Sequence, residues 1–203
     1  MYRGNGPRIF PIIVVIIVIA LIIAALVSVA RMVFFSGGNT EESRNTGDQK
    51  VNIRDEVLKT TEGRAVRYTV RGPIVADENF RSYQITVTPT SRSMTVYRGY
   101  LENPIETKSY DNNTRAYEQF VYALDKADIS KTRDAKEEDL RGVCANNGRA
   151  YQFEIIDSGN TQQAIWTSTC DGSKGTMAAN IAQVHQLFAN QIPEFKPVFD
   201  LVQ

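Results

Sequence analysis

The chain has 203 residues, with 23 basic and 23 acidic side chains, two cysteines and one histidine. That length fits one globular domain with an appendage. Zero net charge argues against a generally basic nucleic-acid binder, and so few Cys and His exclude a zinc-finger array or an iron–sulfur protein.

Residues 9–30 read IFPIIVVIIVIALIIAALVSVA, 22 positions without a charge and with only Pro11 and Ser28 outside the apolar set. As a helix this run is ~33 Å long, enough to cross a hydrocarbon core of ~30 Å. Met32, Val33, Phe34 and Phe35 extend it past Arg31, so the expected span is residues 9–35. Pro11 falls in the first turn, where a missing N–H costs little. The run is longer than the roughly 7–15 apolar residues of a signal peptide, although Ser28-Val29-Ala30 leaves cleavage as an alternative. Arg3 and Arg8 precede the span without an acid, while Glu41 and Glu42 follow it. The positive-inside rule then places the tail, residues 1–8, in the cytoplasm and the rest outside, as a single-pass signal anchor. Ala20, Ala24 and Ser28 recur every four residues, a spacing that lets two membrane helices approach closely. Small residues are also common in such helices without any partner.

Residues 36–49, SGGNTEESRNTGDQ, hold no large apolar side chain, so burial cannot compensate for ordering them. The expected tether covers residues 36–62, with 51–58 (VNIRDEVL) readable as either a short helix or a strand. Residues 63–203 have the composition of one folded domain.

Within that domain, residues 65–71 alternate, with Val66, Tyr68 and Val70 on one face and Arg67, Thr69 and Arg71 on the other. Residues 80–88 and 94–101 read as strands around a turn at Pro89-Thr90-Ser91-Arg92, and 104–110 as a further strand. Thr114 opens a helix, capped by Asn112 or Asn113, with Tyr117, Phe120, Val121 and Leu124 at helical spacing. A second hairpin is expected over 149–156 and 161–169, turning at Asp157-Ser158-Gly159-Asn160. A last helix is expected over 176–190, with Met177, Ile181, Val184 and Phe188 inward and Pro193 beyond its end. The pattern predicts an α+β domain, an antiparallel sheet with two or three helices packed on one face.

Cys144 and Cys170 flank the second hairpin. With the turn at 158–160, Cys170 falls opposite about Gly148, and the segment 145–148 can bring Cys144 back to it. An exported domain is where such a disulfide survives. A catalytic thiol would need a histidine, and His185 shares a helix face with Ile181, which reads as packing.

Chemistry-bearing motifs are sparse. Gly172-Ser173-Lys174-Gly175-Thr176 has the composition of a phosphate loop but the wrong order and spacing. Glu137-Glu138-Asp139 follows Arg133 and Lys136 and reads as a solvated loop, although converging carboxylates of a hydrolase remain the alternative. Asn112-Asn113-Thr114 matches a glycosylation acceptor. No metal, cofactor or catalytic residue is expected.

One asymmetry stands out. Between residues 64 and 98 the basic residues are Arg64, Arg67, Arg71, Arg81, Arg92 and Arg98, opposed only by Asp77 and Glu78, a net of +4. Arginine suits bidentate recognition of phosphate or carboxylate, so the stretch is a candidate anion-binding surface. The alternative is that these side chains pair with acids of the same domain.

The anchor GPRIFPIIVVIIVIALIIAALVSVARMVFF, together with GVCANNG, WTSTCDG and QIPEF, resembles uncharacterised single-pass membrane proteins of small candidate-phylum bacteria. The resemblance implies a location and supplies no catalytic residues. The expectation is a membrane-anchored extracytoplasmic binding or envelope-assembly module. Its expected partners are the lipid bilayer, an anionic polymer or lipid headgroup, and a second copy or larger membrane complex packed through Ala20, Ala24 and Ser28. No specific nucleic-acid recognition is expected.

Overall fold

The computed structural model describes residues 52–135, 139–144, 147–193 and 195. The tail, the apolar run with Ala20, Ala24 and Ser28, the segment 36–51, and Glu137 and Glu138 lie outside the described residues. Among the described residues no helix is long and apolar enough to cross a membrane.

The chain runs α1 (Ile53–Val57), β1 (Arg64–Arg71), a 3₁₀ turn (Asp77–Asn79), β2 (Arg81–Val87), β3 (Ser91–Arg98), β4 (Asn103–Asp111), α2 (Thr114–Lys126), β5 (Ala150–Asp157), β6 (Asn160–Ser168) and α3 (Ile181–Ala189). This is an α+β unit: six antiparallel strands in the order β4-β3-β2-β1-β5-β6, with helices on one face. Strands β1 to β4 form a meander. The chain then returns through α2 so that β5 pairs with the free side of β1, Arg71 opposite Ala150 and Arg64 opposite Asp157.

Alternation decides which face is covered. In β1, Val66, Tyr68 and Val70 are buried on the helix side, joined by Tyr83, Ile85 and Val87 of β2, Met94 and Val96 of β3, and Phe153 and Ile155 of β5. Tyr117, Phe120, Val121 and Leu124 of α2 come down on them from above. Phe188 of α3 ties the layers together. Its ring stacks on Tyr68 with centroids 4.8 Å apart and meets Phe120 edge-on at 5.0 Å. Such aromatic pairs add to the area they bury.

The local signals are satisfied in detail. The Asn113 side chain accepts from the Ala116 N–H and caps α2. At the β2–β3 turn the Thr88 hydroxyl accepts from the Ser91 N–H at 2.8 Å. Ser158 and Gly159, both at positive φ, turn β5 into β6. Residues 53–57 take the helical alternative, and Val57 enters the core.

The last helix departs from expectation: it starts at Ile181, after an Asn180 cap, rather than at 176. Residues 176 and 177 instead cover the outer edge of β6, where the Met177 N–H donates to the Trp166 carbonyl at 2.8 Å. Met177 is buried through that edge contact rather than through a helix face, which its helical spacing with Ile181 imitated.

Candidate functional site

Strand register divides the six arginines. Arg64, Arg67 and Arg92 lie at the end of the sheet holding the β2–β3 turn, and Arg71, Arg81 and Arg98 at the opposite end.

At the first end, Arg64 is 4% exposed and holds the Glu56 carboxylate through Nη2, with Asp157 3.7 Å from its Nε. Hydrogen bonds from Lys59 and then Arg64 hold the Glu56 carboxyl below its usual range. Arg67 points to the uncovered face, where Nη1 is 3.7 Å from Glu154, its register partner on β5. Arg92 stands opposite Tyr110 on β4, and both the Arg92 Nε and the Tyr110 hydroxyl are buried without a hydrogen-bond partner among the described residues. A cleft of about 360 Å³ opens here between Arg67, Ala65, Thr86, Thr88 and Ser91.

At the second end, Arg71 donates to Glu102 at 3.0 Å and lies 5.5 Å from the centre of the Phe80 ring. Arg81 and Arg98 are direct cross-strand neighbours. Arg81 Nη1 donates to the carbonyls of Glu78 at 2.7 Å and Phe80 at 2.9 Å, while Arg98 is exposed and makes no ion pair among the described residues. Like charges directly opposite on adjacent strands are destabilising. A cleft of about 330 Å³ lies beside Arg71, lined by Ile74, Phe80, Tyr100, Leu140 and Ala150.

The wall of that second cleft is held by the disulfide. Cys144 and Cys170 are bonded with Cα atoms 5.3 Å apart, and Cys170 continues β6 to a position opposite Gly148. The Ile74 N–H donates to the Cys144 carbonyl at 2.9 Å, so the cross-link also anchors the β1–β2 loop.

His185 sits over the sheet with its Nδ1 3.3 Å from the Tyr83 hydroxyl and 3.5 Å from that of Tyr68. Burial, and then the Arg149 charge, lower its pKa. Burial raises the pKa of Tyr117 to about 12 and pushes both Tyr68 and Tyr83 well above their usual value. The loop Gly172–Gly175 lines a third cleft, of about 280 Å³, with Arg133 and Asp134.

Two features escaped the sequence reading. One is the cleft beside Phe80 and Tyr100, together with the apolar loop residues Ile74, Val75 and Leu101 around it. Its signal was present, because RGPIVADENF and RGYLE carry Ile-Val and Tyr-Leu in hairpin connections, where polar residues are usual. The other is the Tyr68–His185–Tyr83 contact, which no spacing encodes. No protein-family model matches the chain, and no curated protein matches it.

Proposed function

We propose that the chain is a membrane-anchored extracytoplasmic binding module and that Arg81 and Arg98 form the centre of its contact with phosphate-bearing anions. The observation that carries this reading is the juxtaposition of two arginines on paired strands, one of them exposed without an ion pair among the described residues. Phosphate oxygens between two guanidinium groups would convert a repulsive pair into a bidentate clamp. Arg64, Arg67 and Arg71, by contrast, already face carboxylates.

The binding reading is favoured over a hydrolase by how the acids are distributed. Among the described residues, the three clefts are lined by Asp134 in one, Glu62 in another and no acid in the third, whereas hydrolysis by converging carboxylates needs two.

The test is binding of inorganic polyphosphate to the detergent-solubilised full chain across a salt series. Replacing both Arg81 and Arg98 with Gln should weaken binding and flatten its salt dependence. An arginine near an anionic surface contributes about 1 kcal/mol, or roughly five-fold in affinity each. The same exchange at Arg67 and Arg71 should change binding less. Equal loss from both pairs would remove Arg81 and Arg98 from the centre of the contact.

A further inference from the structure

Six large apolar side chains are exposed among the described residues, and four of them, Ile74, Val75, Tyr100 and Leu101, lie in two loops at one end of the sheet. The β1–β2 loop follows Arg71 and the β3–β4 loop follows Arg98, and register sets these ends side by side through Ser82 and Arg81. The loops are fastened to each other. The Tyr100 hydroxyl donates to the Val75 carbonyl at 2.7 Å and accepts from the Val75 N–H at 3.0 Å. Its ring stacks on Phe80 at 4.1 Å, and its own N–H donates to Asp77 at 2.7 Å. Leu101 then projects from this unit at 87% exposure, with Tyr100 and Val75 each 40% exposed beside it. A large apolar side chain held out in water on an ordered loop is a contact surface looking for an apolar phase. Because the loops are already ordered, docking costs little conformational entropy.

The charges around these loops are sorted as well. Glu102 is engaged with Arg71, Asp139 with Arg141, and Asp77 with a backbone N–H. Arg81, which donates to the Glu78 and Phe80 carbonyls, and Arg98, which makes no ion pair among the described residues, are opposed by Asp77 and Glu78. Apolar tips flanked by arginine and tyrosine match the layered chemistry of a membrane interface, with apolar residues deepest and cations at the phosphates.

We infer that the end of the sheet carrying the β1–β2 and β3–β4 loops rests on a lipid bilayer, with Leu101, Tyr100, Ile74 and Val75 in the interface and Arg81 and Arg98 at the headgroup phosphates. This rests on the membrane-anchor reading of residues 9–35 and adds a second, reversible contact to it. The chain length between the two allows it. Sixteen residues, 36–51, extend at most about 3.4 Å each, or ~54 Å. Strand β1, with eight residues at about 3.3 Å, spans ~26 Å. Helix α1 is held through Glu56 to Arg64, at the end of β1 away from the loops. The number of residues between the expected span and the domain therefore does not limit which part of the domain can reach a bilayer. A permanent anchor also keeps the local lipid concentration high, so a shallow contact suffices.

The experiment places a reporter in the full chain reconstituted into vesicles containing phosphatidylglycerol and brominated lipid. Leu101→Trp is compared with Tyr122→Trp, another exposed site on the outer side of α2, and with the parent protein for the contribution of Trp166. Carbonate extraction is run in parallel. The Leu101→Trp fluorescence should shift to the blue and be quenched by bromine, while Tyr122→Trp should not. Retention in carbonate with no more quenching at Leu101→Trp than at Tyr122→Trp overturns the loop contact and leaves the anchor standing. Extraction by carbonate with Leu101→Trp still quenched overturns the anchor and leaves the loop contact standing. Loss of both overturns both. Because Leu101 is almost wholly exposed, its replacement does not disturb the core.

Discussion

The Cys170 sulfur stands 2.0 Å from the place a β-carbon on Gly148 would occupy, and the Cys144 sulfur 3.1 Å from it. Gly148 is therefore required by space, because the disulfide folds back over its α-carbon. Gly148→Ala should destabilise the domain by roughly 1–3 kcal/mol, the usual cost of overpacking. The same change should cost much less when Cys144 and Cys170 are both Ser. Chemical denaturation of the four proteins tests this, and additive effects would refute the steric explanation.

The disulfide closes a loop of 26 residues. On the chain-entropy estimate, replacing both cysteines with Ser should lower stability by roughly 3 kcal/mol. The apolar cleft should loosen along with it, since Ile74 hangs from the Cys144 carbonyl. Hydrogen exchange at the Ile74 amide should accelerate on reduction more than exchange in β2, and uniform acceleration would separate the cross-link from the cleft.

Arg64 and Glu56 make unequal predictions for two halves of one pair. Arg64 is 4% exposed, and its Nε and Nη1 lack hydrogen bonds among the described residues. Glu56→Ala leaves this buried charge with only Asp157 at 3.7 Å and should cost roughly 3 kcal/mol. Arg64→Met removes the buried charge and leaves the Glu56 carboxylate paired with Lys59, so it should cost less than Glu56→Ala. A loss of polyphosphate binding in a stable Arg64→Met protein would instead give Arg64 a part in anion contact.

His185 confers a pH dependence whose sign follows from its lowered pKa. The unfolded chain takes up a proton near 6.5, while the folded protein resists until lower pH. Stability from this group is full above about 6.5 and is lost as pH falls from there towards the folded value. Glu56 and Asp125, held below their usual ranges by hydrogen bonds from Lys59 and Arg64 and from Arg54, lose their contribution at still lower pH. The urea midpoint should therefore fall between pH 7.5 and 5.5, and His185→Gln should remove most of that fall. An unchanged slope in His185→Gln would assign it to other groups.

The sheet and α2 were legible in the sequence because their information is local. Val66, Tyr68 and Val70 alternate, Tyr117, Phe120, Val121 and Leu124 recur at helical spacing, and Asn113 caps where it stands. The start of α3 was not legible, because Met177 follows the helical spacing while its backbone serves the edge of β6. Cys170 could be set opposite Gly148 from the turn alone, since hairpin register is fixed by the loop. The arginines were countable but not assignable. Whether Arg81 meets Arg98 or Arg67 meets Glu154 depends on pairing between strands, and for β1 and β5 the partner comes eighty-seven positions later.

The strand order also has a consequence for synthesis. Strand β1, the most continuously buried of the six, has one neighbour from the meander and the other from β5. Until Ala150–Asp157 has emerged, a complete four-strand meander offers the far side of β1 as an unpaired edge, and until the last helix follows it lacks Phe188 over Tyr68. A chain stopped before residue 150 is thus a template for aggregation rather than a smaller domain. The second hairpin acts as a closure that a nascent chain must wait for.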